Sequence, residues 1–135
     1  MSQYYYISSN NIAANQFNSY GTTPTISTGP IAGPEGYISN TSLTGTNAGG
    51  QFYFQCQGTA APGDTLITVT FTQPYSNSPS VVIVPSSLGA ADLSYEACYY
   101  VNSTPTNFSL LNGTYTPITG TLYDCRFNYF VINNK

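Results

Sequence analysis

Ionisable side chains are scarce in this sequence of 135 residues. Only 5% of the residues are Asp, Glu, Lys or Arg, against about 25% in an average soluble domain. Arg126 and Lys135 are the only basic residues, and the formal net charge is −3. Nucleic-acid binding needs several Lys or Arg side chains to displace counterions from phosphates, so the composition argues against it, and equally against binding to anionic membrane surfaces.

Histidine is absent altogether, which removes the commonest catalytic base. Ser-His and Cys-His nucleophile pairs are therefore excluded. Two carboxylates converging in a cleft would suit a glycosidase, and the five available are Glu35, Asp64, Asp92, Glu96 and Asp124. Asp92 and Glu96 are the closest pair in sequence and lie at the entry to a predicted strand, where a capped turn and a solvated rim charge are the simpler interpretation. We expect no enzymatic activity and no cofactor.

Metal and disulfide chemistry have little support. The three cysteines, Cys56, Cys98 and Cys125, cannot all pair within one chain, and no CxxC motif occurs. Free thiols at strand positions of an intracellular protein are the predicted state. No apolar run approaches the roughly 18 residues that cross a bilayer, and "MSQYYYISSN" lacks the pattern of a signal peptide. We expect neither secretion by such a signal nor membrane insertion.

Neutral polar side chains take the place of the missing ions. Thirteen tyrosines accompany many Ser, Thr, Asn, Gln and Gly residues, while hydrophobic residues still make up 41% of the chain. Amides, hydroxyls and phenols can hydrogen-bond across strands and across subunits without the desolvation penalty of a buried ion. The composition predicts one domain with much contact surface and little free surface, and hence an assembling protein.

Residues 1–36 differ from the remainder of the chain. Their second half is "TTPTISTGPIAGPEG" with only short gaps between proline and glycine, which excludes a long helix or a central strand. We predict an extended N-terminal arm at 1–36, lying on its own body or on a neighbouring subunit. Residues 37–135 are predicted to form the folded domain.

From about residue 37, alternating hydrophobicity predicts β-strands. The predicted strands are "YISNTSL", "QFYFQCQ", "TLITVTFT", "SVVIV", "YEACYYV", "TNFSLLN" and "TLYDCRFNYFVI", and turns are predicted in "TGTNAGG", "AAPGD" and "NGTYTPITG". No segment keeps a 3.6-residue period, and only "SSLGAADL" is expected to hold a single helical turn. Seven or eight strands about ten residues apart predict an all-β protein, a sandwich or jelly roll.

The faces of these strands differ in character. Phe52, Phe54 and Cys56 share one face of their strand, and "SVVIV" is apolar throughout, as a strand covered on both faces would be. One face of the last strand is predicted to carry Tyr123, Cys125, Phe127, Tyr129 and Val131. The opposite face carries Phe130 and Ile132 together with Asp124 and Arg126. Apolar residues on an outer face indicate a second buried surface between subunits. The alternative is that sheet twist and loops cover them within one chain.

The order of these segments resembles a β-sandwich module found at the ends of phage tail fibres and in virion proteins of phages and large DNA viruses. The module's pattern is roughly T-G-x-x-x-G, a hairpin, F-x-x-x-Y-x-x-x-P-x-V-x-V-x-P, a strand "xxTxxxFxLxxG" and a terminal "YxFxYxVI". The positions of this pattern fall on Thr44, Gly45, Gly49, Phe71, Tyr75, Pro79, Val81, Ile83, Pro85, Thr104, Phe108, Leu110, Gly113, Tyr123, Arg126, Tyr129, Val131 and Ile132. The match covers roughly residues 41–132 and departs at Cys125-Arg126, where the usual Thr-Phe order is altered.

The resemblance implies an antiparallel jelly-roll sandwich of about eight strands, with a topology similar to that of tumour necrosis factor (TNF-like) and a homotrimeric assembly. It implies a viral structural protein located in the virion surface or fibre, made in the host cytoplasm, and in contact with other virion components. The alternative is a fibre head that binds a host surface glycan or receptor. Sugars are bound by stacking on aromatic faces and by hydrogen bonds from amide side chains. The nominal candidates for the stacking residues are Tyr4, Tyr5, Tyr6, Tyr99, Tyr100 and Tyr115.

Overall fold

The computed structural model describes residues 21–29, 37–58, 60–113 and 122–133. These residues form eight strands and one helix. They are β1 (Thr25–Thr28), β2 (Tyr37–Thr46), β3 (Gly49–Gln57), β4 (Thr65–Thr70), β5 (Ser80–Pro85), α1 (Leu88–Ala97), β6 (Tyr100–Ser103), β7 (Asn107–Leu111) and β8 (Tyr123–Ile132). The described part of the chain is therefore all-β in class, as its alternating pattern predicts.

The strands build two four-stranded antiparallel sheets that pack as a sandwich. Sheet A has the order β1-β4-β7-β6, and sheet B has the order β2-β3-β8-β5. Aromatic rings join the two sheets across the core: Phe108 of β7 lies 6.2 Å from Phe52 of β3 and 5.4 Å from Tyr129 of β8, measured between ring centroids. Rings at these separations are in contact, so the two sheets share one core.

The core follows from the strict alternation of β3 and β8. Phe52, Phe54 and Cys56 are buried, and so are Cys125, Phe127, Tyr129 and Val131. Phe127 stacks on Phe52 at 5.4 Å and on Phe54 at 6.1 Å between centroids. Successive side chains of a strand point to opposite faces, so every second residue of these strands points into the core. The inner faces predicted for these strands are confirmed.

The segment predicted as the strand "YEACYYV" is mainly helical, which corrects that prediction. Helix α1 spans ten residues rather than a single turn, and strand β6 begins only at Tyr100. Ser87 caps the helix by accepting a hydrogen bond from Ala90 N. Ala90 and Leu93 are fully buried, and their spacing of three residues puts both on one helical face.

Strand β5 is open on one face, which corrects the prediction that "SVVIV" is covered on both. Its exposure alternates along the strand, and Val82 and Val84 are each 47% exposed. The reason is its position at the edge of sheet B, where it pairs only with β8 in the described chain. The inward residues Val81 and Ile83 pack against the core.

The predicted turn "TGTNAGG" is shorter than expected. Strands β2 and β3 extend into it from both sides and leave a two-residue turn at Asn47 and Ala48. Two glycines permit this close approach: a Cβ on Gly45 would lie 2.5 Å from Gly49 O, and one on Gly50 would lie 2.2 Å from Thr44 O. Gly45 also has a φ of +127°, which other residues rarely adopt.

Four residues of the predicted arm belong to the sandwich. Strand β1 pairs antiparallel with β4, from Thr25 opposite Thr70 to Thr28 opposite Ile67. It occupies one edge of sheet A, where a short strand next to prolines is tolerated. Apart from 21–29, the segment 1–36 lies outside the described residues, and the boundary between arm and domain stays a prediction.

Candidate functional site

The aromatic candidates divide between the core, the surface and the undescribed segments. Tyr99 is half-buried and meets Phe127 edge to face, with 5.3 Å between centroids and 88° between ring planes. It thus packs against the core from its margin. Tyr100 on β6 is 48% exposed. The residues that lie outside the described ranges are Tyr4, Tyr5, Tyr6, Tyr115 and the carboxylate Glu35.

The described carboxylates are distributed over three places: the turn before β4, helix α1 and strand β8. Asp64 accepts a hydrogen bond of 2.7 Å from Ala61 N and so closes the turn before β4. Asp92 and Glu96 lie on helix α1 and not at the entry to a strand, which corrects their predicted placement. Within the described ranges, no group of three or more His, Cys, Asp or Glu side chains is arranged to hold a metal ion.

All three cysteines are free thiols, as predicted. Cys56 and Cys125 are buried on the inner face of sheet B. Burial raises the pKa of Cys56 to about 11, and burial, followed by the charge of Cys56, raises the pKa of Cys125 still further. These two thiols therefore stay protonated and unreactive near neutral pH. Cys98 is exposed and follows helix α1 rather than lying in a strand.

One end of the outer face of sheet B carries a polar cluster, consisting of Tyr53, Gln55, Asp124 and Arg126. The Tyr53 hydroxyl donates to Asp124 Oδ1 at 2.6 Å, and Gln55 Nε2 donates to the same oxygen at 2.9 Å. The Arg126 guanidinium lies 5.6 Å from the Tyr53 ring centroid, close enough for a cation–π contact.

The electrostatics of the polar cluster oppose acid catalysis. Hydrogen bonds from Tyr53 and then Gln55 lower the pKa of Asp124, although this carboxylate is fully exposed. The same hydrogen bond raises the pKa of the Tyr53 phenol. Asp124 is thus held as a carboxylate near neutral pH, where it has no proton to donate. The cluster can accept and donate hydrogen bonds at a surface, but it contains no activated nucleophile.

The other end of the same face is apolar. Val82, Val84, Phe130 and Ile132 form what we call the apolar patch; Phe130 is 45% exposed and Ile132 is 55% exposed. Val82 lies directly opposite Phe130 in the pairing of β5 with β8. Cross-strand neighbours of this kind have their Cβ atoms about 5 Å apart, so the patch is continuous. Phe130 and Ile132 face the same side as Asp124 and Arg126, as the sequence predicts.

A groove opens at the end of the sandwich where β2 turns into β3. Its volume is about 500 Å³, and it is lined by residues 21–22, 46–48 and 72–75. Asn47 joins two of these segments: its Oδ1 accepts from Thr72 N at 2.9 Å, and its Nδ2 donates to Gln73 O at 3.0 Å. The Tyr75 hydroxyl donates to Asn47 O at 3.0 Å.

Comparison with known proteins returns no matching family model, no matching curated protein and no matching solved structure. The class of the described chain is thus given by its fold alone, an antiparallel two-sheet sandwich. Among the described residues, no helix is long and apolar enough to cross a membrane.

Proposed function

We propose that the protein is a non-enzymatic structural component of a virus particle that assembles as a homotrimer through the outer face of sheet B. The observation that carries this proposal is the apolar patch. Val82 and Val84 on β5 and Phe130 and Ile132 on β8 expose about half of their surface each. Contiguous apolar surface of this kind on a sheet marks an interaction site.

The absence of charged residues from β5 itself supports self-association. Soluble sandwiches protect an edge strand with lysine, proline or inward-pointing charge, but β5 has only Pro85 at its end. A stable interface buries about 800 Å² on each partner, so the patch would be its centre. Neutral side chains such as Gln51 and Asn128, which bond to each other at 3.1 Å, would form its rim.

The order of the strands supports a TNF-like jelly roll as the finer topology. From β3 to β6 the chain alternates between sheet B and sheet A at every strand. Strand β3 pairs with β8, and β4 pairs with β7, so the pairs are nested as in a long hairpin wrapped around a core. A jelly roll arises from such a wrapped hairpin. The virion location is supported by the sequence resemblance.

The trimer is tested by light scattering of the full chain at micromolar concentration. We expect three times the monomer mass. A lysine in place of Val82 should convert the protein to monomers, because a charge at the centre of an apolar contact would lose its hydration. Tyr95→Lys is the matched control, since Tyr95 is 87% exposed on α1 and outside the patch.

A wild-type chain of monomeric mass would overturn the trimer. A Val82→Lys variant that keeps its circular-dichroism spectrum and its oligomeric mass would place the contact elsewhere. Proteomics of purified particles tests the virion location separately.

Glycan binding is the second candidate function. It would be served by hydroxyl and amide groups gathered in a concavity, and the groove at the β2–β3 turn has this character. A structural trimer without a ligand would show no saturable binding to glycans, so a binding measurement separates the two functions.

A further inference from the structure

The groove at the β2–β3 turn has the dimensions and rigidity of a ligand site. Its volume of about 500 Å³ falls in the range of about 300–1,000 Å³ that is typical of small-molecule pockets. It lies among the connections at one end of the sandwich, where binding residues are commonly carried on a rigid scaffold.

The walls of the groove are fixed by hydrogen bonds rather than by loose loops. Asn47 bonds to the backbone of Thr72 and Gln73, and the Tyr75 hydroxyl bonds to Asn47 O. Behind the groove, Tyr75 meets Phe71 edge to face, with 4.9 Å between ring centroids. Their backbone amides are held by the neighbouring connection, through Phe71 N to Thr106 O at 2.9 Å and Tyr75 N to Pro105 O at 2.8 Å. Such a site is formed before a ligand arrives, which lowers the entropic cost of binding.

The lining selects against charged ligands. None of the described residues that line it is Asp, Glu, Lys or Arg, so none of them offers a counter-charge to a phosphate or an ammonium group. Among these residues Tyr75 carries the only titratable group, a phenol, and burial raises its pKa, which keeps it neutral. Polar groups remain available: the side chains of Thr22 and Gln73 line the groove, are exposed, and make no hydrogen bond to the rest of the described chain.

We propose that this groove binds a neutral saccharide, whose hydroxyl groups would pair with Thr22 and Gln73 and whose ring would lie against Pro74 and Tyr75. Hydroxyl-rich ligands match a wall of hydroxyl and amide groups because each side offers both donors and acceptors. A neutral sugar also avoids the desolvation cost that an ion would face in a groove without counter-charge. The saccharide site does not depend on trimer formation, because all three lining segments belong to one chain.

The test is titration of the isotopically labelled full chain with neutral and charged sugars, followed by NMR. The neutral probes are glucose, galactose and N-acetylglucosamine; the charged probes are glucuronate, N-acetylneuraminate and glucosamine. We expect saturable shifts of the Thr22, Asn47 and Gln73 amides with at least one neutral sugar at up to about 10 mM, and weaker shifts with its charged counterpart. The absence of saturable binding by every neutral probe overturns the proposal, as does equal binding of charged sugars.

A pair of matched variants locates the binding. Gln73→Ala removes the groove amide and is expected to weaken binding about fivefold to tenfold. The Gln73 backbone oxygen that bonds to Asn47 is retained. Asn77→Ala removes an exposed amide of the same β4–β5 connection that does not line the groove, and it should leave the affinity unchanged. Equal effects of the two variants, or shifts confined to the polar cluster around Tyr53, overturn the assignment to the groove. Light scattering of the same samples shows separately whether the trimer forms.

Discussion

Tyr129 shows how a single polar atom is accommodated inside this core. The side chain is fully buried in β8, yet its hydroxyl donates a hydrogen bond of 2.6 Å to Thr46 O at the end of β2. The phenol thus ties β2 to β8 across the intervening strand β3. A buried carbonyl that loses its donor costs free energy, so the hydroxyl is a structural requirement as well as the ring.

We predict that Tyr129→Phe lowers the free energy of unfolding by roughly 1–2 kcal/mol at neutral pH. It should also change the alkaline behaviour, because burial raises the pKa of Tyr129 from 10.0 to about 12. The wild-type contribution is complete below pH 10, where the unfolded chain is also protonated, and is lost as the pH rises towards 12. The variant should lose stability less steeply in this window. Urea denaturation across pH 9–12 checks this, with exposed Tyr100→Phe as the control; identical slopes would contradict it.

At the scale of elements, the long central strands could be predicted and the elements at the edges could not. Strands β3 and β8 are buried on one face, so their alternation follows from burial alone. The residues that lie inside as expected are Phe52, Phe54, Cys56, Cys125, Phe127, Tyr129 and Val131. Apolar runs are ambiguous because they do not state how many faces are covered. "SVVIV" is such a run, and its exposure is decided by the position of β5 at a sheet edge.

The full length of helix α1 could not be predicted, because beyond the single turn expected in "SSLGAADL" its signal is a tertiary contact. Strand β8 has ten residues, but β5 pairs only with its stretch from Phe127 to Ile132. The connection after β5 covers the remainder of that edge: Ser86 N donates to Arg126 O at 2.8 Å, and Ser87 Oγ donates to Asp124 O at 2.8 Å. Tyr95 to Ala97, which alternate like a strand in sequence, therefore end a helix that packs against β8 at an edge that needs cover.

Ser87 is the residue on which this arrangement depends most. Its Oγ accepts hydrogen bonds from Ala90 N and Arg126 N and donates one to Asp124 O. We predict that Ser87→Ala lowers the free energy of unfolding by roughly 1–3 kcal/mol, because it removes both the helix cap and the ties to β8. Thermal unfolding measures the effect. Ser86→Ala is the control, since that hydroxyl is exposed and accepts only one long hydrogen bond, of 3.4 Å from Gln51 Nε2; equal losses in the two variants would refute the role given to Ser87.

At the scale of the whole molecule, the candidate site is the least predictable feature. The groove is lined by residues 21–22, 46–48 and 72–75. In sequence, each of these segments is an ordinary connection before or between strands. Their proximity comes from the register of β2 with β3 and from the side chain of Asn47, which a pattern of hydrophobicity does not encode. The apolar patch is easier to predict from the sequence, since Phe130 and Ile132 share a face with Asp124 on one strand.

The three thiols provide a measure of global unfolding. Cys98 is exposed, whereas Cys56 and Cys125 lie in the core with raised pKa values. We predict that one thiol reacts rapidly with Ellman's reagent in the native full chain and that the other two react only as fast as the sandwich opens. Cys98→Ser should remove the fast phase and leave the slow one. Two or three rapidly reacting thiols in the wild-type chain would show that sheet B is less closed than described.

The placement of β8 in the middle of sheet B, between β3 and β5, has a consequence for biosynthesis. Its neighbour β3 is translated about seventy residues earlier. During synthesis the rings of Phe52 and Phe54 therefore lack Phe127, the β8 residue that stacks on them in the folded protein. Sheet B can close only after residues 123–132 have left the exit tunnel, when strands β1 to β7 are already outside.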